Sequence, residues 1–299
     1  MSINVVSTTP TSERLGAIAV EYIKLTKPRV ISLLLVTTAA AMFTAAHGVP
    51  NGWLILWTMV GGYLAAGGAN AINHYVDRDI DMFMKRTDAR PVVAGSVTPR
   101  RALVFGVGCG VVAAAVLALA ANELAAVLAL MGLAVYVGIY TVWLKRSTVH
   151  NIVIGGAAGA FPPLVGWAAV TGHLGLYPWL LFAVVFYWTP PHFWALALLL
   201  QNDYANAGVP MLPVVHGEDA TRRQIFLWTL VMVGVTVLPC AAGLAGWTYF
   251  VGALILNGVF VVLAFRLWRQ PSRSRAKVTF HYSLLYLALL FVLMAIDAA

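Results

Sequence analysis

Along this chain the apolar residues do not alternate with polar ones. They run in blocks, and residues 102–122 and 151–201 contain no Asp, Glu, Lys or Arg at all. A helix needs about 20 apolar residues to cross a hydrocarbon core. On that criterion the pattern predicts nine spans, near 30–46, 53–73, 102–121, 125–143, 151–171, 176–201, 225–244, 247–267 and 280–296. No period-2 alternation bounded by turns is sustained, so a barrel is not supported. The expected fold class is an all-α integral membrane protein, with the lipid bilayer as its first partner. Composition agrees: of 299 residues 61% are hydrophobic and 10% charged, where a soluble domain carries about a quarter charged residues.

Charge then sets orientation. All 19 Lys and Arg residues fall in the N-terminal lead and in the segments after spans two, four, six and eight. The positive-inside rule makes these segments cytoplasmic, with the N-terminus inside and the C-terminus outside. The expected location is the plasma (inner) membrane, crossed many times. The net charge of +8 is thereby a topology signal, and its dispersal over five membrane-edge segments gives no case for nucleic acid. The N-terminus shows no cleavable signal and reads as a cytoplasmic segment over 1–28. Cys109 and Cys240 lie inside apolar runs without metal-ligand spacing and read as packing residues.

One repeat is visible. RPVVAGSVTPRRAL (90–103) and LPVVHGEDATRRQI (212–225) share P-V-V-x-G-x-x-x-x-R-R at an offset of 122 residues. The same offset sets Asp203 on Asp81 and His192 on Asn70. An even number of spans separates the copies. The expectation is two parallel four-helix halves, about 29–145 and about 146–268, with a ninth helix at about 280–296, all within one transmembrane domain at 29–297 around a central cavity opening to the cytoplasmic side.

The polar stretch NAINHYVDRDIDMFMKRTDARPVVAG (70–95) stands out against this background. Asn70, Asn73, Asp77 and Asp81 follow at steps of 3, 4 and 4. On a helix they share one face, so span two is expected to continue past the membrane edge as one helix with an oxygen-bearing stripe. One reading is a solvated helix end, with Asp81 and Lys85 as an i,i+4 pair. The other is a hard-cation site, because Asp77 and Asp81 repel each other and Asn73 adds an oxygen without a cation. Mg²⁺ is commonly held by one or two carboxylates together with substrate phosphates. Arg78, Lys85, Arg86 and Arg90 then suit phosphate oxygens. Asp203, by the repeat, offers a carboxylate from the other half.

These residues resemble the UbiA superfamily of intramembrane prenyltransferases. Its first signature, N-x-x-x-D-x-x-x-D, is met by Asn73, Asp77 and Asp81. KLTKPRV, YTVWLKRSTVHNIVIGGAAGAFPPLVGW, WTPPHFWALAL and DYANAGVPMLPVV extend the likeness over 24–215, nearest to the branch that farnesylates heme. The resemblance implies farnesyl diphosphate and protoheme IX as substrates, heme O and diphosphate as products, and Mg²⁺ as cofactor. It implies Asn73, Asp77, Asp81 and Asp203 as the catalytic, metal-holding set. Lys145 and Arg146 join Arg78, Lys85, Arg86 and Arg90 as the diphosphate-binding set. Heme A synthase or terminal-oxidase assembly would receive the product. One departure stands: Asp203 is followed four residues on by Ala207, where many members carry a second acid. Asn202, Glu218 or Asp219 are the candidates to compensate.

For the acceptor, Asn70, His192, His216 and Trp188 are the expected pocket residues. His192 follows Pro190 and Pro191 at membrane depth, where an ionisable residue is a functional candidate; a hydrogen-bonded structural role is the competing reading. His74, His150 and His281 read as inner-edge residues, His47 and His173 as outer-loop residues. The Gly-rich run 151–161 lacks the strand and GK[ST] ending of a phosphate loop and reads as close helix packing. A cation or proton transporter is the rival class. It fits poorly, because the outer half holds only Glu123 and Asp297, both at span ends.

Overall fold

The computed structural model describes residues 11–299; positions 1–10 of the expected 1–28 segment lie outside the described residues. An amphipathic helix comes first, α1 (Thr11–Thr26). It is followed by α2 (Pro28–Ala46), α3 (Gly52–Val76), the short α4 (Arg78–Asp81), α5 (Pro99–Ala120) and α6 (Glu123–Ala134). α6 runs into a π-helical segment (Val135–Leu144) and the single turn α7 (Lys145–Ser147). Then come α8 (Asn151–Thr171), α9 (Leu176–Leu199), α10 (Gln201–Asn206), α11 (Leu212–Val215), α12 (Gly217–Ala241), α13 (Trp247–Arg269) and α14 (Arg273–Ala298). Among the described residues nine helices are long and apolar enough to cross a membrane. They are α2, α3, α5, the α6-to-α7 unit, α8, α9, α12, α13 and α14.

Three helix starts have a clear local cause. Asn51 accepts hydrogen bonds from the Trp53 and Leu54 N–H groups and caps α3. Thr98 caps α5, with Pro99 at the first helical position. Asn122 caps α6 through Ala125 N–H and donates to Ala168 O at 2.7 Å, tying α6 to α8.

Small residues set the closest helix contacts. A Cβ on Gly68 would stand 2.6 Å from Gly106 O, so α3 and α5 touch backbone to backbone. A Cβ on Gly166 would stand 2.2 Å from Thr38 O, which fixes α8 against α2.

The helices outrun the apolar blocks. α12 begins at Gly217 and α14 at Arg273, several residues before the spans expected at 225 and 280. Hydropathy marks where lipid begins, whereas the backbone stays helical through charged turns at the bilayer edge. The same end of the bundle gathers the C-termini of α3, α9 and α13 and the N-termini of α5, α8, α12 and α14, since short loops join antiparallel neighbours.

Candidate active site

The acidic stretch does not form one continuous helix. α3 stops at Val76, and Asp77 takes φ −85°, ψ 2° before α4 begins. Backbone bonds still bridge the break: Asp77 N–H donates to Asn73 O at 2.9 Å and Asp81 N–H to Asp77 O at 2.8 Å. The stripe therefore survives a change of helix.

Asp77 and Asp81 are both fully buried. Buried carboxylates need compensation, and it comes from far along the chain. Lys145 Nζ donates to Asp77 Oδ2. Arg90 Nη1 donates to Asp81 Oδ2 at 2.5 Å. Lys27 Nζ donates to Asn73 Oδ1 at 2.8 Å, and Asn73 Nδ2 donates onward to Asp77 Oδ2 at 2.7 Å. Arg146 makes a two-pronged pair with Asp79 at 2.6 and 2.7 Å and lies 3.6 Å from Asp77 Oδ1. Those two hydrogen bonds hold the Asp79 carboxyl down at about 2. Burial, then the charges of Arg90 and Lys145, lower the Lys27 pKa, while the charges of Asp81 and Asp77 work to keep it an ammonium.

The π segment accounts for how Lys145 arrives. Thr141 Oγ1 donates to Tyr136 O, five residues back, and accepts from Asn73 Nδ2 at 3.2 Å. A π turn rotates the residues after it relative to an α-helix. Here Thr141 and Lys145 both meet the Asn73–Asp77 edge. Gly155 leaves room for the Tyr140 ring, since a Cβ there would stand 2.4 Å from its Cδ2. One turn deeper, Asn70 donates to Thr26 O at 2.9 Å and accepts from the Tyr136 hydroxyl at 3.4 Å.

Each of the two acids keeps one buried oxygen, Asp77 Oδ1 and Asp81 Oδ1, with no hydrogen-bond partner among the described residues. Hard acceptors left open on two acids, with the Asn73 amide between cations, fit a divalent ion that completes its shell with phosphate and water. Among the described residues no group of three or more His, Cys, Asp and Glu side chains is arranged to hold a metal. Asp203, on α10, accepts the Arg86 N–H at 3.3 Å. The 82–90 loop thereby reaches both Asp203 and, through Arg90, Asp81.

Several expected roles shift. Arg78 folds back onto the end of α3, donating to Tyr75 O at 2.5 Å with its guanidinium 4.6 Å from the Tyr75 ring centre. It does not turn toward the acids. Lys85 is exposed, and the Asp81–Lys85 pair is replaced by Asp81–Arg90, because the chain leaves helical geometry after Asp81. Arg86 donates its backbone N–H to Asp203, and its guanidinium, on an exposed residue, lies beside the buried Tyr204 hydroxyl. Of the candidates to compensate for Ala207, Glu218 and Asp219 pair with Arg222, and Asn202 is exposed.

The expected acceptor residues divide. Trp188 and His192 pack against α14: Trp188 Nε1 donates to Ser283 O at 2.8 Å, and His192 Nδ1 shares a 2.6 Å hydrogen bond with Ser283 Oγ. The His192 ring stacks on Trp188 and Phe280, with centroids 4.2 and 4.9 Å away. His216 is exposed in the turn between α11 and α12, and Asn70 belongs with the acids. Lys27 was not among the expected site residues. Its signal was positional: a lysine immediately before Pro28, held at φ 55°. A positive φ is rare for a residue with a side chain, and here it aims the ammonium at Asn73.

The profile of the UbiA prenyltransferase family matches residues 34–292. A protoheme IX farnesyltransferase from Gloeobacter violaceus is 53% identical over 95% of this chain and 94% of its own length. One from Deinococcus radiodurans is 48% identical over 93% of each chain. Against one from a Roseiflexus species, 55% identical over 93% of this chain, the chain spans about half the relative's length, 52%. A solved structure of digeranylgeranylglyceryl phosphate synthase superposes with a TM-score of 0.77 over 94% of this chain and 99% of its own, at 16% identity. A UbiA homolog from Archaeoglobus fulgidus solved with DMAPP and Mg²⁺ superposes with a TM-score of 0.66 at 14% identity, over 92% and 99%. Both likenesses concern the fold.

Proposed function

The chain belongs to the UbiA prenyltransferase family, and we propose that it transfers a farnesyl group from farnesyl diphosphate to a vinyl group of protoheme IX, with addition of water, giving heme O and diphosphate. The observation that carries the transfer chemistry is the buried Asp77–Asp81 pair, two carboxylate oxygens open and four cations (Lys27, Arg90, Lys145, Arg146) around it. The protoheme acceptor rests on the relatives that share about half their residues with this chain.

Breaking an allylic C–O bond puts negative charge on diphosphate and positive charge on the prenyl C1. Asn73, Asp77 and Asp81 would hold Mg²⁺, with Asp203 on the facing helix end as a further ligand. When bound, the ion neutralises the leaving group. Lys27, Arg90, Lys145 and Arg146 are the cations positioned to grip diphosphate oxygens, preorganised by pairs already made within the protein. Arg78, Lys85 and Arg86 lie at the same edge and belong to diphosphate entry. The vinyl π-bond attacks C1, and the cation moves to the carbon conjugated with the porphyrin. Water adds there and releases a proton. No protein nucleophile is required.

The apolar tail would lie in a central cavity between two pseudo-repeated halves, about 29–145 and about 146–268, with the ninth helix outside them. Trp188 and His192 line the acceptor side in this reading, with Asn70 beneath the acids and His216 at the mouth. The membrane is the plasma (inner) membrane, the N-terminus cytoplasmic and the C-terminus outside, on the distribution of Lys and Arg. The product would pass to heme A synthase or to terminal-oxidase assembly.

The test is incubation of membranes carrying the protein with radiolabelled farnesyl diphosphate, Mg²⁺ and heme, and in parallel with 4-hydroxybenzoate. Label entering a heme extract only in the first arm is expected. Label in 4-hydroxybenzoate alone would assign the site to another aromatic acceptor.

A further inference from the structure

Away from the acids, a groove of about 560 Å³ opens between α12, α13 and the start of α14. It shares no residue with the site above. Its walls are Phe226, Val261, Val262 and Phe265, and its rim carries Arg266 and Arg275 with Gln270. Phe226 stacks on Trp268 at 5.3 Å, and along the groove Phe265 and Val262 are nearly half exposed, at 45% and 49%.

The rim is built, and it is cationic. Gln270 ends α13 and Ser272 caps α14, so the chain turns back within a few residues. In that turn Arg275 donates to Gln270 O and, at 2.9 Å, to Gln270 Oε1, which orients its guanidinium. Neither Arg266 nor Arg275 meets a carboxylate among the described residues. From Arg266 to Lys277 the sequence has five basic residues and no acid. An apolar trough with an uncompensated pair of arginines at the end of membrane helices matches one ligand chemistry, a phosphodiester carrying acyl chains. Basic pockets between spanning helices at the cytoplasmic edge select anionic headgroups, and a planar guanidinium suits phosphate.

We propose that this groove binds an anionic glycerophospholipid, acyl chain along Phe226, Val262 and Phe265 and headgroup phosphate between Arg266 and Arg275. A phosphocholine lipid offers the same chain and phosphate but sets a quaternary ammonium against the cationic rim. The site is separate from the prenyl-transfer centre and does not depend on it.

The experiment is native mass spectrometry of the purified full-length protein from detergent micelles doped with equal phosphatidylglycerol and phosphatidylcholine. The expected result is preferential retention of phosphatidylglycerol. Arg266→Ala or Arg275→Ala should each weaken it about fivefold, a loss of roughly 1 kcal/mol of headgroup attraction per arginine. Arg266→Lys should retain most of it. Val262→Trp fills the trough, leaves both arginines, and should also abolish retention; a well-folded Val262→Trp protein keeps the test valid if an arginine variant misfolds. Equal retention of the two lipids, or undiminished phosphatidylglycerol on both arginine variants, overturns the proposal. Displacement of the lipid by inorganic phosphate alone assigns the rim to free phosphate and overturns it too.

Discussion

Lys145 and Asp77, 68 residues apart in sequence, form an ion pair in which the carboxylate is fully buried and the lysine is 7% exposed. Breaking such a pair from one side leaves an uncompensated charge inside the protein, at a cost of about 3–5 kcal/mol. Any variant at this pair therefore mixes loss of chemistry with loss of stability, and the two must be read separately.

Asp77→Asn keeps the shape and the hydrogen bond from Asn73 and removes a charged ligand. Prenyl transfer in Mg²⁺-containing membranes is expected to fall by two orders of magnitude or more, on the order of the loss of one electrostatic contact to the reacting charge. Asp81→Asn should behave alike. Wild-type turnover in either variant, with the protein inserted, would remove the acids from the reaction.

Lys27→Met removes the ammonium that meets Asn73 and leaves the helix ends in place. The KM for farnesyl diphosphate should rise by roughly tenfold, the size of one charge-assisted hydrogen bond. The heme KM should not move. Steady-state kinetics with each substrate varied in turn checks this; equal changes in both would point to a distorted fold instead.

Gly166→Ala places a methyl group on Thr38 O. Overpacking of this kind costs about 1–3 kcal/mol, so the melting temperature in detergent should drop. Gly159→Ala meets nothing within 4 Å and serves as the control in the same helix. Equal melting of the two variants would mean that α2 and α8 are not held as closely as described.

His192→Ala loses the hydrogen bond to Ser283 and the stack on Trp188. A stability loss of roughly 1–3 kcal/mol is expected from the lost hydrogen bond and the cavity left by the ring, since Ser283 keeps its own bond to Phe280 O. His192→Gln, which can still reach Ser283, should recover much of it. A rise in heme KM with the farnesyl diphosphate KM unchanged should accompany that loss; an unchanged heme KM would remove His192 from the acceptor side.

The number of spans was legible in sequence because bilayer thickness converts directly into a length of apolar chain, and nothing tertiary alters that conversion. The acidic stripe was legible for a similar reason. Asn73, Asp77 and Asp81 are spaced by helical turns, and the break at Asp77 is too slight to move them to different faces. The Gly-rich run 151–161 announced close helix packing without saying with what, and the backbone-to-backbone approaches at Gly68, Gly106 and Gly166 lie outside it.

Which cation meets which acid lay beyond the sequence. Arg78 and Lys85 are the acids' neighbours along the chain, yet Arg78 turns to Tyr75 and Lys85 to the surface. The partners are Lys27, Arg90, Lys145 and Arg146, delivered by a left-handed residue before a proline, a loop that doubles back, and a π segment that rotates its helix end. Local periodicity describes a single helix face. A buried charge takes its partner from whatever segment packing brings within hydrogen-bond reach, and that choice is made only when the helices come together.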